Sequence, residues 1–337
     1  MTAHAAVRQG KGSMDVSIVI PTKNAGDLLD KVLKAVFEQK TSYSYEVICV
    51  DSGSGDHTLE IIRRYPCRLF QIPASEFGHG KTRNYGAAQG TGTYIVFLTQ
   101  DALPASDRWL QNFIDAMELD PEIAGGFGIH YPYPDCNLLD VRDLEGHFKG
   151  FGETNTIFYL EDRERYEREE SYRHFLAFFS DNNSCLRRSV WEKHPYRDVN
   201  FAEDQFWARE IIELGYKKVY CPYAPVYHSH NYKLTTYFAR YYDEYKGLYE
   251  LHQFEIADHW RRLPGMLYRQ VRGDCVYIRH LTTLTKKEKI RWAFYSLFRN
   301  FDRFWGGYLG GKYHSYSPAK QRFLDRHISQ QYRQKRA

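Results

Sequence analysis

The chain has 337 residues, 43% of them hydrophobic, which suffices for two domains or for one large domain with an extension. No run of about 18 or more apolar residues occurs, and Met1 to Ser13 are polar without the apolar core of a signal peptide. A cytoplasmic, non-spanning protein with a disordered leader over residues 1–14 is therefore expected. The net charge of +4 hides a split, because residues 261–337 carry 18 basic and 4 acidic side chains, leaving 28 against 38 in residues 1–260.

Val16 to Pro21 reads as a first strand, and Asp27 to Gln39 repeats apolar residues at helical spacing (Leu28, Leu29, Val32, Leu33, Val36). Tyr45 to Asp51 is a second strand ending in an acid, followed by a helix over Asp56 to Tyr65. Arg68 to Ile72, Lys81 to Gln89 and Thr93 to Leu98 continue as strand, helix and strand. This alternation implies right-handed βαβ units and a doubly wound sheet. Beyond it come a helix over Trp109 to Met117 and a strand over Ile123 to His130. Residues 135–175 mix acidic runs with aromatics and resist assignment. Ser180 to Leu186 leads into a strand, Arg188 to His194 is a short helix, and a further helix starts near Phe201 and stops at Gly215. Tyr216 to Tyr220 and Ala224 to Tyr227 read as short strands, and from Leu234 the pattern is helical.

Open α/β sheets bind ligands beyond the carboxyl ends of their strands. Asp101 follows the apolar run Ile95 to Leu98, and Asp51 ends the second strand, so both stand where a ligand would. A lone strand-end aspartate such as Asp101 is more often a helix cap or a turn residue, here ahead of Pro104. The Ser52 to Asp56 loop could approach a ligand or be an ordinary turn. No GxGxxG follows the first strand and no GxxxxGK[ST] occurs anywhere, which speaks against a dinucleotide oxidoreductase and a P-loop NTPase. The six cysteines form no CxxC pair, so neither a disulfide framework nor a cysteine zinc site is suggested. His228-Ser229-His230 has spacing that can hold a metal, though two histidines alone are as readily surface residues. Glu203 and Asp204 open a helix, where acids also complement the dipole.

Together these stretches resemble the family 2 glycosyltransferases with the GT-A fold, over roughly residues 15–235. The resemblance rests on the order of Ser17 to Asn24, Val50 to Asp56, Lys81 to Gly86, Thr99 to Asp101, Glu203-Asp204 and His228. The fuller stretches Phe77 to Asn84, Phe97 to Pro104 and Tyr227 to Tyr232 are similar to the branch containing bacterial rhamnosyltransferases of surface polysaccharide assembly. It implies a GT-A domain, a Rossmann-like, doubly wound mixed sheet, over residues 15–235, followed by a helical extension over 236–337.

The resemblance also implies roles. Pro21, Thr22 and Asn24 would line a nucleotide-sugar pocket together with Ser52, His79, Gly80 and Gln100. Asp51 would contact the base or ribose, and Arg83 the base or diphosphate. Asp101 would be the surviving acid of a DXD-type motif and, with His228 as a second ligand, would hold Mg²⁺ or Mn²⁺ against the leaving diphosphate. Asp204 would be the general base, with Glu203 orienting the acceptor. Thr99-Gln100-Asp101 departs from the full motif, supplying one carboxylate where many relatives have two.

The implied reaction moves a sugar with inversion, L-rhamnose from dTDP-L-rhamnose for preference, onto a glycan or undecaprenyl-linked saccharide. The alternatives are a UDP-sugar donor, or a catalytically silent carbohydrate-binding protein in view of the incomplete motif. The tail mixes Trp and Phe with Arg and Lys, as interfacial helices do, which suggests a peripheral position at the inner face of the cell membrane. A dimer surface or a solvated helical cap would fit the same composition. No nucleic-acid module accompanies the basic residues.

Overall fold

The structure, a computed structural model, describes residues 14–199 and 201–334. The expected disordered leader, Met14 apart, lies outside the described residues. The chain divides into two compact units, one made of Met1–Val199 and Glu203–Ser229, the other of Asn200–Ala202 and His230–Ala337.

The first unit begins with β1 (Val16–Thr22), α1 (Leu28–Phe37), β2 (Tyr45–Asp51), α2 (Thr58–Arg63), β3 (Arg68–Gln71), α3 (His79–Gln89) and β4 (Tyr94–Leu98). There follow β5 (Leu103–Pro104), α4 (Trp109–Met117), β6 (Ile123–Tyr131), α5 (Leu138–Lys149), β7 (Thr156–Phe158), α6 (Arg163–Arg168) and α7 (Glu170–Ala177). It closes with β8 (Asn183–Arg187), α8 (Arg188–Trp191), α9 (Glu203–Glu213) and β9 (Lys217–Tyr227). The strands form one sheet in the order β3-β2-β1-β4-β8-β6-β9-β5, and β7 also pairs with β9.

The β3-β2-β1-β4 half is parallel, as the βαβ alternation requires. β8 then runs antiparallel to both β4 and β6, which makes the sheet mixed. Near-continuous apolar strands are what a sheet covered on both faces needs. Alternate residues of β1, β2 and β4 accordingly enter two different cores. Ile18, Val47 and Val96 join Leu29 and Phe113 in one. Val19, Ile48 and Phe97 join Phe127 and Trp207 in the other.

The two short strands expected over 216–227 are one strand, β9, although Pro222 and Pro225 lie inside it. A register shift between Gly128 and His130 of β6 absorbs the prolines, which cannot donate to a ladder. Residues 135–175, unassigned from sequence, supply α5, β7, α6 and α7. Val141, Leu144, Phe148 and Phe151 recur at helical spacing, but acidic runs surround them, and Phe148 and Phe151 enter the core that holds Phe127 and Trp207.

The second unit consists of α10 (Leu234–His252), α11 (Leu263–His280), α12 (Lys286–Gly311), α13 (Pro318–His327) and α14 (Gln330–Gln334). α12 packs against both α10 and α11. The approach to α10 is close enough that a Cβ on Gly306 would stand 2.6 Å from the Phe238 carbonyl oxygen. No helix among the described residues is long and apolar enough to cross a membrane.

Candidate active site

The carboxyl ends of β1 and β2 are in register, Thr22 opposite Asp51, so the loops that follow run side by side. Asp51 is buried and organises the second loop. Its Oδ1 accepts the N–H groups of Gly53 and Ser54 at 3.0 Å each, and its Oδ2 accepts the Thr22 and Ser54 hydroxyls. The Ser52 hydroxyl donates to the Thr22 carbonyl at 3.2 Å. Asn24 adopts a left-handed backbone, φ 47°, a region Asn tolerates better than most residues, and its Oδ1 accepts the Gly55 N–H at 2.8 Å. Pro21, Thr22, Asn24, Asp51 and Ser52 therefore form one strand-end shelf. Both carboxylate oxygens of Asp51 are engaged by its own loop and by Thr22.

Gln100 ties this shelf to β4. Its Oε1 accepts the Lys23 N–H at 2.8 Å, and its Nε2 donates to the Lys23 carbonyl at 3.2 Å. Asp101 is thereby fixed just beyond the strand. Its carbonyl accepts the Tyr133 hydroxyl at 2.9 Å, and its Oδ1 lies 3.6 Å from His228 Nε2. His228 is positioned by the end of β9, where its N–H donates to the Tyr131 carbonyl at 2.9 Å. One carboxylate and one imidazole, both near the surface, offer an oxygen and a nitrogen ligand to a divalent ion.

The start of α9 belongs to a third group. Antiparallel pairing sets Leu98 opposite Asn183, and the Thr99 N–H donates to the Asn182 carbonyl at 3.3 Å, so the segment before β8 lies beside the end of β4. From that segment the Asp181 N–H donates to Asp204 Oδ2 at 3.1 Å. The Asp181 carboxylate accepts the Tyr196 hydroxyl at 2.6 Å and the Ser184 hydroxyl at 2.7 Å. Arg83, on α3, brings Nη1 to 2.7 Å from Glu203 Oε1 and Nε to 3.4 Å from Asp181 Oδ2. One buried cation thus faces three acids.

Burial governs this cluster's protonation. It pushes the Glu203 carboxyl up to about 7, against the opposing pull of Arg83 and with a further push from Asp181. Asp204 is held well above the usual carboxylate range by burial and then by Asp181 and Glu203. Asp181 is raised by burial despite Arg83, Tyr196 and Ser184. Ala202, the residue before α9, has φ 57°, a left-handed conformation that costs a non-glycine residue about 1–2 kcal/mol. Strain of this kind collects at functional sites.

Two expected nucleotide ligands stand elsewhere than anticipated. Arg83 is buried with its guanidinium against two carboxylates, because α3 carries it into the acids that open α9 rather than toward the strand-end shelf. Gly80 is packed so tightly that a Cβ would come within 2.5 Å of the Arg197 carbonyl oxygen, so its smallness lets α3 meet the segment before α9. His79 is exposed at the start of α3, its ring edge-on to Phe77 at 5.0 Å.

The model of the family described as Glycosyl transferase family 2 matches residues 17–193. The chain belongs to this family. It is a glycosyltransferase. It is 35% identical over 235 residues to the O-antigen chain rhamnosyltransferase RfbN of Salmonella typhimurium, covering 68% of this chain and 71% of that one. With the O-antigen chain rhamnosyltransferase WbaN of Salmonella anatum the identity is 32% over 232 residues, covering 67% and 70%. Among solved structures, the mannosyltransferase PcManGT from Pyrobaculum calidifontis, in complex with GDP-Man and Mn²⁺, superposes with a TM-score of 0.51 at 18% identity. That likeness covers 96% of this chain and 83% of the other. The S. aureus TarS fragment 1–349 in complex with UDP gives 0.51 at 15%, covering 90% and 92%. These two likenesses concern the fold.

This glycosyltransferase also has site residues that sequence reasoning passed over. Asp181, Asn183 and Ser184 are buried on or before a central strand. Asn183 accepts from Trp109 Nε1 at 2.9 Å and donates to the Ala224 carbonyl at 2.8 Å. Three polar residues at the mouth of a strand that must be buried on both faces were the available signal, since buried polar groups need partners. Tyr196, which bonds Asp181, carried no comparable mark.

Proposed function

We propose that this chain is an inverting rhamnosyltransferase that moves L-rhamnose from dTDP-L-rhamnose to a hydroxyl of a glycan or undecaprenyl-linked saccharide during surface polysaccharide assembly. The observation that carries the mechanism is the Asp204 carboxylate, held by the Asp181 N–H at 3.1 Å and raised in basicity by burial and then by its acidic neighbours. Asp204 takes the proton of the acceptor hydroxyl as that oxygen bonds to the anomeric carbon. The bond from the anomeric carbon to the diphosphate breaks on the opposite face. A positioned general base contributes about 10²–10⁴-fold. Arg83 and Glu203 keep the start of α9 in place under Asp204. The choice of rhamnose is supported by the similarity to the two O-antigen chain rhamnosyltransferases of Salmonella.

The Thr22–Asp51 shelf offers backbone and hydroxyl groups to the nucleoside, with Gln100 bracing it against β4. A divalent ion fits Asp101 and His228, whose ligand atoms are 3.6 Å apart. Mg²⁺ or Mn²⁺ held there would neutralise the departing diphosphate. A lipid-linked acceptor would put the enzyme at the inner face of the cell membrane, attached peripherally. UDP-sugars are the alternative donors, suggested by the TarS fragment's complex with UDP.

Thermal shifts with dTDP-L-rhamnose, UDP-N-acetylglucosamine and GDP-mannose, each with Mn²⁺ and again with EDTA, test this reading. A ligand at a hundredfold excess over Kd stabilises the folded state by about 2.7 kcal/mol. A metal-dependent shift confined to the dTDP sugar is expected. A shift confined to a UDP or GDP sugar would move the donor, and no shift with any sugar would overturn the assignment.

A further inference from the structure

The first half of the long helix of the second unit turns a polar cluster inward and an apolar stripe outward. Ile290, Phe294, Leu297, Phe298 and Phe301 of α12 are between 39% and 61% exposed. At about 3.6 residues per turn they fall within an arc of about 100°. The opposite side of the same turns holds Ser296, Arg299 and Asn300, all buried. There the buried Asp274 of α11 accepts from the Ser296 hydroxyl at 2.7 Å, Asn300 Nδ2 at 2.8 Å and Gln270 Nε2 at 3.1 Å. A helix on a water-facing surface shows the opposite arrangement, with its apolar stripe inward. Contiguous exposed apolar side chains of this kind mark a contact surface.

The charges around the stripe identify the contact. Every charged side chain of α11 and α12 that is exposed is basic: Arg269, Arg272 and Arg279 on α11, and Lys286, Lys287 and Arg291 on α12. The three acids of the two helices are withdrawn, Asp274 into the buried network and Glu288 into the capping box with Thr285, while Asp302 is only partly exposed. A second copy of this chain would bring like charges together, whereas an anionic surface with an apolar interior satisfies both the stripe and its cations. The helix cannot span, so it would lie in the interface.

We propose that the exposed face of α12, with the cations of the α11–α12 hairpin, is a docking surface for an anionic lipid bilayer. Ile290, Phe294, Leu297, Phe298 and Phe301 enter the headgroup–acyl boundary, and Lys286, Lys287 and Arg291 meet the lipid phosphates. The proposal deepens the peripheral-attachment reading above and rests on it for its biological use.

Co-sedimentation of the full chain with phosphatidylcholine vesicles, with and without phosphatidylglycerol, tests it. Binding to the anionic vesicles is expected. It should fall at least about tenfold in Phe294→Ser/Phe298→Ser, since each buried phenylalanine is worth more than a decade in partition. Lys286→Glu/Lys287→Glu should lose the preference for phosphatidylglycerol. All four residues are exposed, so both variants should retain the wild-type circular dichroism and the donor-induced thermal shift. Three results would overturn the proposal: no binding by the wild type, equal binding by the phenylalanine variant, or a wild-type dimer that this variant dissociates in sedimentation velocity. A donor shift without vesicle binding removes the surface alone, and vesicle binding without a donor shift removes the transferase assignment alone.

Discussion

Arg83→Met separates a structural cation from a nucleotide ligand. In the native protein Arg83, Glu203 and Asp181 are all buried, with separations of 2.7 and 3.4 Å. Removing one member of a buried ion pair costs about 3–5 kcal/mol, because the remaining charges are left uncompensated. Here the acids can respond by taking up protons, so the loss depends on pH. The Glu203 carboxyl lies at about 7 when folded, above its ordinary 4.5, and so binds its proton more tightly folded than unfolded. What it contributes is full below about pH 4.5 and is lost as pH rises toward 7, some 3 kcal/mol in order of magnitude at ~1.4 kcal/mol per pH unit. Without Arg83 the folded carboxyl moves higher still and the window of loss extends upward. Arg83→Met should therefore cost less near pH ~5, where Glu203 holds its proton, and about 3–5 kcal/mol near pH ~8. Urea unfolding followed by circular dichroism at both pH values measures this directly. A loss below about 1 kcal/mol near pH ~8, or one that does not change with pH, would refute the argument. If dTDP affinity fell instead, with stability unchanged, Arg83 would be a nucleotide ligand after all.

Glu203→Gln should flatten the stability decline of the wild type between about pH 4.5 and 7, as seen in the same unfolding series. A decline as steep as the wild type's would assign it to Asp181 or Asp204 instead. Asp101→Asn and His228→Ala should each weaken Mn²⁺-dependent dTDP binding in calorimetry by about tenfold or more while leaving metal-free binding unchanged, as expected of metal ligands. Equal weakening with EDTA present would make them nucleotide contacts. Thr285→Ala removes the capping box that starts α12 and should cost the second unit about 1 kcal/mol in thermal unfolding. No change in Tm would mean that tertiary packing alone fixes that helix end.

The parallel half of the sheet was legible because buried strands and amphipathic helices leave strong periodic marks. β4 is an unbroken apolar run, β1 and β2 are largely apolar, and α4 spans the residues its pattern indicated. The mixed half was harder. β8 carries Asn183 and Ser184 inward, and β9 hides two prolines in a register shift, so neither reads as a central strand. At the site, local sequence order carried Thr22, Asp51 and Asp101 to the strand ends. The partnership of Arg83 with Glu203 spans 120 positions and depends on how α3 meets the start of α9, which no local pattern encodes. Asp181 did carry a local mark, a polar cluster at the mouth of a buried strand, but not the partner that gives it a role. The outward apolar stripe of α12 was invisible too, since composition does not say which side of a helix faces the protein.

The most direct test of the central claim is the release of dTDP from dTDP-L-rhamnose, coupled to sugar transfer onto a membrane-extracted acceptor, for the wild type and Asp204→Asn side by side. Metal-dependent transfer by the wild type is expected, and in Asp204→Asn a loss of about 10²–10⁴-fold with donor binding retained. Transfer at the wild-type rate by Asp204→Asn would contradict the assignment of the base, and no transfer from the dTDP sugar by the wild type, with transfer from a UDP-sugar, would contradict the donor.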